Sequence, residues 1–200
     1  MSLTITPARK AESKPGFRTD LQGLRALAVL LVMVYHIWFS RVSGGVDIFL
    51  MLSAFFLTAS VAKRVIRGER PRVLGQWAHR FSRLVPQAAV VVLAVVIGSW
   101  VLLPSNRWPQ LIDQSFASLF YKQNWYLAEN HVDYYAFNTA ASSPLQHFWS
   151  LSVQGQIFIL WPLILAACAL LWKLFFSRHS FAWVAGTAFG LIFAGSLAFS

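Results

Sequence analysis

Residues 85–103 read VPQAAVVVLAVVIGSWVLL, nineteen positions without an Asp, Glu, Lys or Arg. At about 1.5 Å of rise per residue, such a run crosses a hydrocarbon core of roughly 30 Å as a single helix. Four further stretches have the same character. Residues 21–39 carry only Arg25 and His36 as charged or imidazole groups, and residues 45–62 carry only Asp47. Residues 144–172 and 181–200 contain no Asp, Glu, Lys or Arg. A backbone in lipid must satisfy its own hydrogen bonds, and the alternation of a barrel strand is missing, so all five read as helices. The expected fold class is all-α, a polytopic transmembrane helix bundle with about five spans.

Composition supports the same class. The 200 residues are 57% hydrophobic and 12% charged, with a formal net charge of +10. A soluble domain carries roughly 25% charged and 45–50% apolar residues, so too little polar surface is present to cover a water-soluble globule. Disorder is excluded because disordered chains are poor in apolar residues. The single cysteine, Cys168, excludes an internal disulfide framework. No fixed-period repeat or low-complexity tract occurs.

The excess of positive charge reads as topology. With the N-terminus in the cytoplasm, the inner segments hold 14 of the 17 Lys and Arg, and only Arg41, Arg107 and Lys122 lie outside. That skew follows the positive-inside rule. The expected location is the cell membrane, multi-pass, with a cytoplasmic N-terminus. Residues 1–16 read as a flexible basic tail and 17–200 as the membrane domain, with 63–83 as a basic cytoplasmic loop and 104–143 as an extracytoplasmic loop. The first apolar run is too long for an ordinary signal-peptide core, and Ser43-Gly44 makes a poor cleavage site. The outer loop is rich in aromatics, among them Trp108, Phe116, Tyr121, Trp125 and Tyr126. They read either as an interfacial belt or as a partly ordered lid.

Ionisable groups inside spans are costly, which makes each a functional candidate. Arg25 and His36 lie eleven residues apart, about 20° past three full turns and about 16 Å along an uninterrupted α-helix, so one face is expected to carry both. Snorkelling of Arg25 and a structural interhelical bond from His36 are the plain alternatives. Asp47 stands just inside the second span, as a partner for Arg41 or His36. Arg80 and Arg83, three apart, share a helix face leading into the third span. Forked guanidiniums suit phosphate oxygens, although anionic lipid headgroups would serve them too. His147, Ser150 and Gln154, with Gln156 beside them, would form a polar stripe on a helix, open to a packing role as well as a functional one. No Gly-rich phosphate loop, HExxH helix, GxSxG elbow or His/Cys metal cluster is present.

Three ordered stretches resemble the acyltransferase 3 family of bacterial membrane proteins. The first runs from Phe17 through Asp20, Gly23 and Arg25 to His36, with an Arg-then-ten-then-His spacing, and continues as Gly44-Gly45-Val46-Asp47-Ile48-Phe49 to Ser53-Ala54-Phe55, similar to GVDxFFxxSGF. The second is Arg80-Phe81-Ser82-Arg83-Leu84-Val85-Pro86, matching RxxRxxP. The third, Pro144 to Gln156, is similar to PLxHxWSLSVEEQ. Two departures stand out. Gln154 and Gly155 replace the pattern's Glu-Glu, and Ala54 replaces its Gly.

The resemblance implies an integral-membrane O-acyltransferase, moving an acetyl group from cytoplasmic acyl-CoA to a hydroxyl of a cell-envelope glycan or glycolipid. It implies that Arg25, Arg80 and Arg83 bind the CoA phosphates. His36 takes the hydroxyl proton as general base, or first accepts the acyl group in a two-step relay. Asp47 joins His36 as a catalytic candidate, and His147, Ser150 and Gln154 rank second. No tightly bound cofactor, metal or nucleic acid is implied. The family has about ten membrane helices, some members adding an SGNH-type domain, so the five spans are expected to be an N-terminal half. Two other classes remain open on the residues alone: a transporter half, with Arg25, His36 and Asp47 lining a pathway, and a non-catalytic membrane anchor.

Overall fold

The computed structural model describes residues 19–39, 44–130 and 143–199; the side chain of His36 lies outside that description. Seven α-helices follow one another: α1 Thr19–Val34, α2 Gly45–Ile66, α3 Val73–Leu102, α4 Trp108–Leu119, α5 Gln123–Glu129, α6 Phe148–Phe175 and α7 Phe181–Ala198. Helix α1 continues into a π-helical turn, Tyr35–Phe39. Among the described residues there is no strand. Five helices are long and apolar enough to cross a membrane, counting α1 with its π-turn as Thr19–Phe39. The protein is a multi-pass all-α membrane protein.

Side-chain pairings fix the helix directions. Gln154 Nε2 donates to Ser53 Oγ at 3.2 Å. Further along the same pair of helices, Leu57, Val61 and Val65 share a buried core with Phe158, Leu165 and Cys168. Both sequences advance together, so α2 and α6 are parallel. Helix α3 runs against them, with Val92 packed near Leu145 and Phe148 and Arg80 over Phe158. Helix α7 closes one flank, with Phe181, Val184 and Ala185 in the core that contains Cys168 and Ala169.

The structure extends two sequence expectations. The third span, expected at 85–103, forms the second part of a longer helix that begins at Val73. The basic stretch 63–83 is therefore mostly helix, because α2 runs on to Ile66. Its turn is made by residues 67–72, where Gly68 takes a positive φ of 76°, the conformation glycine adopts at least cost.

The second concerns 104–143, expected as a loop. Residues 108–129 of it form a helical hairpin of α4 and α5, each too short to span a bilayer. Trp108 meets Trp100 near one end of α3, with ring centroids 6.1 Å apart. The turn after α4 places Tyr121 edge-on to Phe81, centroids 5.5 Å apart. The hairpin thus runs back along α3, its longer arm rising about 18 Å. Its inner face, Leu111, Gln114, Ser115 and Ser118, is buried at helical spacing. That stripe is mostly polar, so a search for apolar periodicity passes over it. Of the aromatics, Tyr121 is buried inside the bundle, while Phe116 and Trp125 stay exposed. Residues 131–142 and the tail 1–16 lie outside the described residues.

Candidate active site

A groove of about 250 Å³ opens between α1, α2 and α6. Helix α1 lines it with Ala28, Val29, Val32 and Met33, α2 with Val46, Phe49 and Leu50, and α6 with Ser150, Leu151 and Gln154. Its wall is apolar apart from Ser150 and Gln154. Two members of the expected polar stripe, Ser150 and Gln154, therefore do line one cavity. The third, His147, caps α6 and is exposed, with its carbonyl accepting from Ser150 Oγ at 3.3 Å.

The other candidates stand beside this groove and not in its lining. The Arg25 guanidinium, one helical turn before Ala28, lies 5.6 Å from the centroid of the Phe49 ring. Asp47, two residues before Phe49, follows Val46 in the first turn of α2 and is exposed, a position that suits a carboxylate at a helix N-terminus. His36 falls in the π-turn three residues beyond Met33. The expectation that Arg25 and His36 share a face assumed an unbroken α-helix, and the helix changes pitch at Tyr35. The His36 side chain itself lies outside the described residues, as does Arg41.

Arg80 and Arg83, on one face of α3, differ in burial. The Arg80 guanidinium is 4.7 Å from the centroid of the Phe158 ring and half-buried against α6. Arg83, 60° away around the helix by its pitch of about 100° per residue, is exposed. By the pairings Ser53–Gln154 and Arg80–Phe158, and by packing of α1 across the groove, all three arginines lie within about two helical turns of one depth.

Sequence reasoning missed the buried polar network that joins the hairpin to α6. Gln123 Nε2 donates to Gln114 Oε1 at 3.1 Å, and the Gln123 backbone N–H donates to Ser152 Oγ at 3.1 Å. Gln156 Nε2 donates to Asn124 Oδ1 at 2.9 Å and to the Tyr121 carbonyl at 3.0 Å. Gln114, Gln123 and Ser152 are at most 1% exposed. Burial first, and the Asp113 carboxylate second, raise the Tyr126 phenol above its ordinary value. Helical spacing of Gln114, Ser115 and Ser118 was the signal available in the sequence.

Five long apolar helices packed about an interhelical groove define a class: multi-pass α-helical membrane proteins. The Acyltransferase domain family model matches residues 18–199, and the chain belongs to that family. O-acetyltransferase OatA of Staphylococcus aureus is 35% identical over 154 residues, covering 76% of this chain and 25% of that protein. Peptidoglycan O-acetyltransferase OatA of Listeria monocytogenes is 35% identical over 149 residues, covering 73% of this chain and 24% of its own length. The chain thus spans about a quarter of these relatives. No solved structure matches it.

Proposed function

We propose that this chain carries the acyl-donor half-site of a membrane O-acyltransferase of the cell envelope, using acetyl-CoA from the cytoplasm and a glycan hydroxyl as acceptor. The observation that carries this reading is the groove. On α1 it lies between Arg25, whose guanidinium meets the lining residue Phe49, and the turn that holds His36, with Asp47 next to the lining residue Val46 and Arg80 and Arg83 within about two helical turns in depth. The phosphates of CoA suit the arginine end. An apolar channel about 12 Å long, by the rise from Arg25 to Met33, suits the uncharged arm that carries the thioester. At the far end the acceptor hydroxyl attacks the thioester carbonyl while His36 takes its proton. The oxygen–acyl bond forms, the carbon–sulfur bond breaks, and the thiolate leaves as CoA, regaining a proton. The names of the relatives support acetyl as the group moved, and that of the Listeria protein supports peptidoglycan as acceptor.

Filling the groove tests this directly. Ser150→Phe places a ring among Val29, Val32 and Leu50, and is expected to lower transfer at least tenfold while CoA still binds at the arginines. Transfer of radiolabelled acetyl to cell-wall glycan, measured beside CoA binding to the purified full-length protein, separates the two effects. Parental transfer by a folded Ser150→Phe protein removes the groove from the pathway.

The orientation belongs to the same proposal: the N-terminus and the 67–72 turn in the cytoplasm, the α3–α4 connection outside. Single cysteines at Arg67 and at Asn106, both exposed positions, are expected to react oppositely with an impermeant thiol reagent on intact cells. Position 106 is labelled and position 67 is protected. Native Cys168 is buried and contributes little background. Labelling at 67 with protection at 106 reverses the topology and moves the arginines to the wrong side for a cytoplasmic donor.

A further inference from the structure

The tip of the α4–α5 hairpin is wedged between α3 and α6. Tyr121 is buried, with its ring against Gly155, where a Cβ would overlap ring atoms Cδ1 and Cγ. Only glycine leaves room for that ring without displacing it. On its other side the ring meets Phe81 of α3 edge-on at 5.5 Å. Phe81 is the neighbour of Arg80, and the Arg80 guanidinium lies 4.7 Å from the Phe158 ring centroid. Phe158 is three residues beyond Gly155 on α6, on the same side of that helix. The contacts therefore close a ring: Gly155, Tyr121, Phe81, Arg80 and Phe158.

The tip holds its position independently of the ring contacts. Gln156 bonds the Tyr121 carbonyl and the Asn124 amide. Ser152 accepts from the Gln123 N–H. Tyr121 itself has a φ of 57°, a conformation rare for a residue with a side chain. Such a backbone persists where its surroundings over-determine it. A guanidinium stacked on an aromatic face also keeps its N–H donors in the plane of the group, free to bind an anion from the side.

We propose that Tyr121 is a positioning residue for Arg80: its ring, seated on Gly155, sets the α3–α6 spacing that holds the Arg80 guanidinium on Phe158 for contact with a donor phosphate. This assignment rests on the reading that Arg80 meets the phosphates of CoA, and it extends that reading to a residue remote from the groove. The phenol hydroxyl takes no part in the wedge; the ring does.

The test is CoA binding by the full-length protein in lipid nanodiscs, with thermal unfolding measured on the same samples. Tyr121→Ala is expected to weaken CoA binding about five- to tenfold, the scale of a partly buried cation–π contact that loses its support. Tyr121→Phe restores parental binding. In an Arg80→Ala background, Tyr121→Ala causes no further loss, because it acts through Arg80. Additive losses in that pair, or Tyr121→Phe as weak as Tyr121→Ala, overturn the positioning role. The wedge has its own readout without CoA. Gly155→Ala lowers the unfolding temperature of the parent but not that of Tyr121→Ala, in which the ring is gone. Equal effects in both backgrounds overturn the wedge. Absence of CoA binding by the folded parent overturns the donor reading and the Arg80 role with it, while the unfolding cycle still decides whether the ring is seated on Gly155.

Discussion

Acyl transfer by the full-length His36→Ala protein is expected to fall by about 10²–10⁴-fold, the contribution of a positioned general base. CoA binding should survive, because Arg25 lies eleven residues away on α1, about 16 Å by helix rise if the helix were regular throughout. The π-turn at Tyr35–Phe39 makes this position informative. Single π-turns break the regular ladder of hydrogen bonds and occur frequently at functional sites. Replacing the imidazole of a merely structural residue would lower stability and little else. The measurement is therefore threefold: extraction and unfolding temperature, CoA affinity, and label transfer to glycan. A folded His36→Ala protein that binds CoA and acylates within tenfold of the parental rate sinks the general-base assignment. A protein that moves solute across vesicles but never binds CoA would favour the transporter class instead.

The spans were legible because hydropathy over about twenty residues is a strong signal, and α2, α6 and α7 lie where those runs predicted. The start of α3 was not legible. Helix α3 carries arginines over its first turns, and one of them, Arg80, is half-buried by stacking its guanidinium on Phe158. A charge tolerated by an aromatic face still counts against a span on any hydropathy scale. The hairpin was hidden for a related reason. Gln114, Ser118, Gln123 and Ser152 are all at most 1% exposed, and sequence patterning assigns buried faces to apolar residues. Gln114, Gln123 and Ser152 are bonded to one another across helices, information that a local pattern does not hold. Among the candidate site residues, Ser150 and Gln154 line one groove, Arg25 meets its lining residue Phe49, and Asp47 adjoins its lining residue Val46. Arg80 and Arg83 share a helix face at about 60°, but only Arg80 lies against α6 and Arg83 stays exposed.

The two positions at which the family pattern carries Glu-Glu are not equivalent, and the largest stability difference expected in this chain lies between them. Gln154 lines the groove, half-buried, and its amide donates to Ser53 Oγ. Gln154→Glu keeps the shape, and the Ser53 hydroxyl can rotate to donate to the new carboxylate. Arg25, on the ring of Phe49 in the same groove, supplies an opposite charge. The change should cost no more than about 1 kcal/mol. Gly155 is buried and the Tyr121 ring fills the space above it. Gly155→Glu must expel that ring, which overpacks the α3–α6 contact by about 1–3 kcal/mol, and must also bury a carboxylate, which adds several kcal/mol more. Together these exceed about 4 kcal/mol, the range in which single substitutions unfold marginal proteins. Gln154→Glu should therefore be recovered from membranes as a monodisperse species with an unfolding temperature near the parent's, and Gly155→Glu should be lost to aggregation or degradation. Removing the ring discriminates the cause: Tyr121→Ala should rescue Gly155→Ala fully but Gly155→Glu only in part, since the steric conflict is relieved and the buried charge remains. Equal recovery of Gln154→Glu and Gly155→Glu would show that Tyr121 does not occupy the space over residue 155.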